Sequence, residues 1–73
     1  MKIEYSPEHD VLNIEFLEDV EIENSIGEEG IIFDYSKDRK IVSVEILDAK
    51  KRIGKNIIDK VDFSIISKNV VTL

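Results

Sequence analysis

Apolar and polar side chains alternate with a period of two along residues 3–18 and again along residues 31–48. Such alternation is typical of β-strands that bury one face and expose the other. A short polar segment interrupts each stretch, Pro7–Asp10 in the first and Lys37–Lys40 in the second. The pattern therefore predicts two antiparallel β-hairpins, each closed by a four-residue loop.

The apolar side chains of a hairpin share one face in a single strand register, because a slip of one residue would invert every side chain. In the first hairpin, that register pairs Tyr5 with Leu12 and Ile3 with Ile14. The predicted pairs of the second hairpin are Tyr35 with Val42, Phe33 with Val44, and Ile31 with Ile46.

The two hairpin sequences also resemble each other. Residues 33–48 align with residues 3–18 at an offset of thirty, so that Tyr5 meets Tyr35 and Glu15 meets Glu45. A fixed offset of this kind indicates a repeated structural unit. Two origins remain open, a true internal duplication and two independent hairpins of equal loop length.

The expected fold class is α+β, mainly β: a four-stranded antiparallel meander of the two repeated hairpins, with a short C-terminal helix and a final strand. The Glu-rich segment Asp19–Gly30 joins the hairpins, and its apolar residues suggest a short edge segment. Asp48 as an N-cap and Gly54 as the terminating residue predict a helix over Ala49–Ile53.

The last nineteen residues, 55–73, allow two interpretations. Helical spacing of apolar residues suggests a helical turn near Asn56–Lys60, and alternation suggests a strand over Asp62–Thr72. The alternative is one continuous helix from Asp48 to about Lys60. We divide the single expected domain, residues 1–73, into a β module of residues 1–54 and a C-terminal extension of residues 55–73.

Composition adds an expectation of self-association. A 73-residue chain without cysteine has no disulfide to support a small core, so a homodimer or higher oligomer is the expected remedy. The N-terminus shows no signal-peptide pattern and no apolar run is long enough to span a bilayer, so we expect a cytoplasmic protein without membrane contact.

Four carboxylates fall on the polar face of the predicted sheet: Glu4, Glu15, Asp34 and Glu45. We expect this acidic face to bind a basic protein partner, and we expect no enzyme activity and no cofactor, since an open face offers no cleft to shift a catalytic pKa. The alternative is a cation site or a small carboxylate-dependent enzyme, which requires all four carboxylates to converge on one ion.

The basic run of the C-terminal third comprises Lys50, Lys51, Arg52 and Lys55, and its first three residues are the second candidate partner-binding group. They can complement the helix dipole, dock on an acidic protein surface or contact nucleic acid. The net charge of −6 and the lack of interleaved aromatic residues disfavour nucleic acid.

Two runs carry a family resemblance: one from Tyr5 through Pro7 to Ile14, and one over Asp34–Ala49, which contains EILDA and leads into Lys-Lys-Arg. In these runs the chain resembles a prokaryotic family of small proteins known as domain of unknown function 2283. The resemblance spans about residues 1–54 and implies a small β-rich domain with no established activity and no transferable catalytic residues. Some members resemble the companion protein of a small toxin-like neighbour, which implies an antitoxin-like inhibitor of a basic partner.

Overall fold

A computed structural model describes residues 1–57 and 59–67 of the chain. The strands and the helix are β1 (Lys2–Ser6), β2 (Val11–Glu15), β3 (Asn24–Glu28), β4 (Ile31–Tyr35), β5 (Ile41–Leu47) and α1 (Ala49–Ile53). The strands form one open antiparallel sheet. The expected class, a mainly β protein with a short helix after the strands, is confirmed.

The order of the strands differs from the predicted meander. The sheet runs β1-β2-β5-β4-β3, so β2 pairs with β5 rather than with β4, and β3 is a fifth strand at the edge. The two hairpins therefore join through their second strands, and Ile14 lies opposite Val44 at the junction. The segment between the hairpins is long enough to lead to the far edge, where its residues 24–28 pair with β4.

The predicted registers hold with one exception. Tyr5 pairs with Leu12 and Ile3 pairs with Ile14, as expected, and the second hairpin agrees at Phe33. Tyr35, however, lies opposite Ile41 and not Val42, because the register shifts between Asp34 and Tyr35. Such a shift marks a β-bulge, in which one strand carries an extra residue that simple alternation does not reveal.

One row of apolar side chains crosses all five strands on the same face of the sheet. Its members are Ile3, Ile14, Val44, Phe33 and Ile26. We call the surface around this row the apolar face; its neighbours on the same side of the sheet are Tyr5, Leu12, Ile31 and Ile46. Among the described apolar residues only Leu12, Val42 and Ala49 are buried. Most of the apolar face is therefore only half-buried, or exposed as at Ile26.

Helix α1 has the predicted bounds, but its first turn is held by a different residue from the one expected. Asp48 adopts a left-handed conformation and its side chain makes no capping bond. Instead, the carboxylate of Asp10 accepts from the backbone N–H of Lys50 at 3.1 Å, and the Asp10 carbonyl accepts from Ala49 N–H at 3.0 Å. The helix ends at Gly54, whose φ of 127° excludes the continuous-helix alternative.

The described part of the C-terminal extension contains neither predicted element. Residues 56, 57, 59 and 60 form no helical turn, and residues 61–67 form no strand. Alternation is sufficient for a strand only where a neighbouring strand supplies hydrogen-bond partners. The remainder of the predicted final strand, residues 68–72, lies outside the described residues, as does Ile58. None of the described helices is long and apolar enough to cross a membrane.

Candidate functional site

The face opposite the apolar face carries a row of polar side chains that also crosses all five strands. Its members are Lys2, Glu15, Ser43, Asp34 and Ser25. A second row on this polar face begins with Glu4, Asn13 and Glu45. The strand registers thus place all four predicted carboxylates on one face, as the alternation of the sequence requires.

Asp34 lies at the centre of a hydrogen-bond cluster on the polar face. Only 2% of its surface is exposed. Ser25 Oγ donates to Asp34 Oδ1 at 2.6 Å, and Ser43 Oγ donates to Asp34 Oδ2 at 2.6 Å. Because β3 and β5 flank β4, each neighbouring strand supplies one of these serines. A buried carboxylate is tolerated when its oxygens are satisfied in this way.

Glu45 is the second carboxyl group of this cluster. It lies on β5 diagonally across from Asp34, a spacing that long side chains can bridge. A hydrogen bond to Asp34, together with burial and the negative charge of Asp34, raises the pKa of Glu45 to about 7. Glu45 therefore keeps its proton up to near-neutral pH, and its protonated carboxyl donates a hydrogen bond to Asp34.

The pKa of Asp34 moves in the opposite direction. Burial acts to raise it, but the hydrogen bond from Glu45 and those from the two serines outweigh burial and lower the pKa below its usual 3.8. The two carboxyl groups therefore titrate as a pair that shares one proton, which is the expected behaviour when two acids lie within hydrogen-bonding distance.

The other two predicted carboxylates lie apart from this pair. Glu4 is on the edge strand β1, with Asn13 between it and Glu45, and Glu15 lies opposite Ser43. Within residues 1–57 and 59–67, no group of three or more His, Asp or Glu side chains could hold a metal ion. The convergence of four carboxylates that a cation site requires is therefore not found there. Both oxygens of Asp34 accept from serines, and the pair holds one proton between its two carboxyl groups.

The basic run lies on α1, and part of it is used within the chain. Arg52 Nε donates to the carbonyl of Leu47 at 3.0 Å. Its guanidinium also lies against Gly30, close enough that a side chain at Gly30 would collide with it. Arg52 therefore connects the helix to the turn between β3 and β4. Lys50 and Lys51 are exposed, and their role toward a partner stays a prediction.

Sequence reasoning missed two features of this arrangement. The serines that hold Asp34 were not recognised as its partners, although the register of β4 and β5 places Ser43 directly opposite Asp34. Asp10 was expected only to close the first loop, yet it also accepts a hydrogen bond from the hydroxyl of Tyr5 at 2.7 Å and holds α1. The contact with α1 spans forty residues and has no local signal.

The described residues thus define a small antiparallel β-sheet protein with a proton-sharing carboxyl pair on one face and an uncovered apolar surface on the other. The model of the family described as protein of unknown function DUF2283 matches residues 2–50, which is more than half of the chain. The protein belongs to that family. A search of curated proteins and a search of solved structures each gave no match.

Proposed function

We propose that this protein is a non-enzymatic interaction module that self-associates through its apolar face. The observation that carries the proposal is the apolar row across all five strands, whose members are half-buried or exposed in the single chain. A sheet with one apolar face needs a second layer to cover it. Contiguous apolar surface of this kind marks interaction sites in soluble proteins.

The surface area of the chain supports this proposal. The chain exposes 6336 Å², whereas a compact monomer of 8.4 kDa exposes about 4,600 Å². Its radius of gyration is 14.8 Å, against about 11 Å for a compact domain of this length. Residues 59–67 lie outside the strands and the helix and are all exposed, so they contribute to the larger surface area. A stable interface removes about 800 Å² per partner, so the excess is large enough to supply one.

Covering the apolar row with a second copy fits the chemistry of the surface. The five members of the apolar row are uncharged, so apolar side chains of the second copy would bury no charged group along that row. An interface that uses the same patch on both copies closes with two-fold symmetry, which makes a dimer the expected product.

The test is sedimentation of the native chain and of two charge-insertion variants. Ile26→Lys places a charge on the apolar face at a residue that is already 50% exposed, so the fold should tolerate it. Ile53→Lys makes the same change at a residue that is 45% exposed at the end of α1 and is the matched control. Circular dichroism of both variants should match that of the native chain, which checks that the sheet is kept.

We expect the native chain and Ile53→Lys to sediment at twice the 8.4 kDa mass of one chain, and Ile26→Lys to dissociate at least tenfold more readily. A native chain that remains monomeric at 100 µM would refute self-association. A dimer that Ile26→Lys leaves unchanged would refute the apolar face as its interface.

A basic protein as a second partner is favoured by the segment that leads into β3 and by the turn that follows it. All acidic side chains between residues 18 and 29 are exposed, and no basic residue lies in this stretch. An antitoxin-like inhibitor of a basic protein is one concrete form of this proposal. Calorimetric titration with a cationic peptide should show binding whose affinity falls as the salt concentration rises. Glu28→Lys should reduce that affinity further. An absence of heat at low salt would exclude it.

A further inference from the structure

The segment Val61–Ile66 is the most exposed apolar stretch in the described part of the chain. The exposed fraction rises along it, from 55% at Val61 and 73% at Phe63 to 80% at Ile65 and 86% at Ile66. Residues 63–67 include no charged side chain. A stretch of this composition left in water is unfavourable and calls for an apolar partner.

Only the beginning of this segment contacts its own sheet. Val61 and Phe63 line a shallow groove of about 250 Å³ together with Met1 and Ile3. Ile3 is the end of the apolar row on the edge strand β1. The segment therefore leaves its own sheet at the margin of the apolar face, and the increase in exposure shows that its later residues do not fold back onto that face.

We propose that Val61–Ile66 of each copy packs onto the apolar face of a second copy, so that the dimer is held by an exchange of C-terminal arms. This inference rests on the proposed self-association and specifies the part of the chain that completes it. The arm begins beside the surface that the second copy would cover, so both contacts belong to one continuous interface.

The dimensions of the two parts are compatible. The nine residues 59–67 can reach at most about 30 Å when fully extended, and five strands spaced by about 4.8 Å are about 19 Å wide. An arm that starts at the β1 edge is thus long enough to reach across a facing sheet.

The direct test is a mixed dimer of one ¹³C,¹⁵N-labelled chain and one unlabelled chain, examined with isotope-filtered nuclear Overhauser spectra. We expect intermolecular contacts between the aromatic ring of Phe63 or the methyl groups of Ile65 and methyl groups of the apolar row, such as those of Val44. If these arm residues show contacts only within one chain, the exchange of arms is refuted, and the proposed dimer is not.

A pair of variants gives an independent result in the full chain. Ile65→Ser/Ile66→Ser removes apolar surface from residues that no fold element buries, so the sheet is preserved. We expect the dimer dissociation constant to rise at least tenfold, and the control Ile53→Ser to change it less than twofold. An unchanged constant in the double variant would refute the arm, whereas a monomeric native chain would refute both the arm and the proposed function.

Discussion

Replacing Glu45 by glutamine is expected to remove most of the pH dependence of stability between pH 5 and pH 8. In the native chain the pKa of Glu45 is raised from 4.5 to about 7 by its hydrogen bond to Asp34, by burial and by the charge of Asp34. Since the folded state holds a proton that the unfolded state releases, stability is highest below the unfolded pKa and falls as pH rises through the folded pKa. Glutamine can donate to Asp34 at every pH.

The magnitude follows from the size of the shift. Each pKa unit is about 1.4 kcal/mol, so the full shift sets a ceiling of about 3 kcal/mol on the loss. Glu45 is half-buried, and solvent screening reduces this to about 1–2 kcal/mol. Asp34 acts in a separate window, because its lowered pKa gives stability that is lost only as pH falls below its usual 3.8.

The assay is urea unfolding followed by circular dichroism at fixed protein concentration, at pH 5, 6, 7 and 8. The native chain should lose about 1–2 kcal/mol across this range and Glu45→Gln should lose less than half as much. Glu4→Gln removes an exposed carboxyl from the same face and is the control, with a slope equal to the native one. Parallel slopes for the native chain and Glu45→Gln would refute the shared proton.

Two further predictions concern the contacts that hold α1 and the turn beside it. Asp10→Ala should destabilise the chain by about 1–2 kcal/mol, because it removes the acceptor for the Tyr5 hydroxyl and for the first turn of α1. Asp10→Asn should recover part of this loss in the same urea titration. Gly30→Ala should cost about 1–2 kcal/mol, since its φ is +81° and the added carbon would lie 2.6 Å from Cζ of Arg52. If the melting temperature of Gly30→Ala equals that of the native chain, the close packing of Arg52 on this turn is wrong.

The strands of the two hairpins could be predicted because their signals are local. Alternation fixed the faces of the first hairpin, and the constraint of one apolar face gave the pairing of Ile3 with Ile14. The shift at Tyr35 could not be anticipated, because a bulge inserts a residue without breaking the apolar pattern. The choice of β5 as the neighbour of β2 depends on how two complete hairpins meet, which no single segment encodes.

The candidate site was predicted less completely, for a similar reason. Alternation placed Asp34 and Glu45 on one face, and the register of the second hairpin sets them diagonally across from each other. The contribution of Ser25 was missed, because β3 lies outside that hairpin. The strand order also separates Glu4 from the pair by one strand. The proton shared by Asp34 and Glu45 is thus a property of the second hairpin, whereas the hydrogen bond from Ser25 to Asp34 requires the edge strand β3.

The position of β5 also determines when the sheet can assemble on the ribosome. β5 is the last of the five described strands to be synthesised, yet it lies in the middle of the sheet. The β1–β2 ribbon must therefore wait for residues 41–47 to emerge before it gains its neighbour, and an isolated two-stranded ribbon is only marginally stable in water. Nascent chains that stop short of residue 41 should consequently stay sensitive to protease, and protection should arise in one step once β5 has left the exit tunnel.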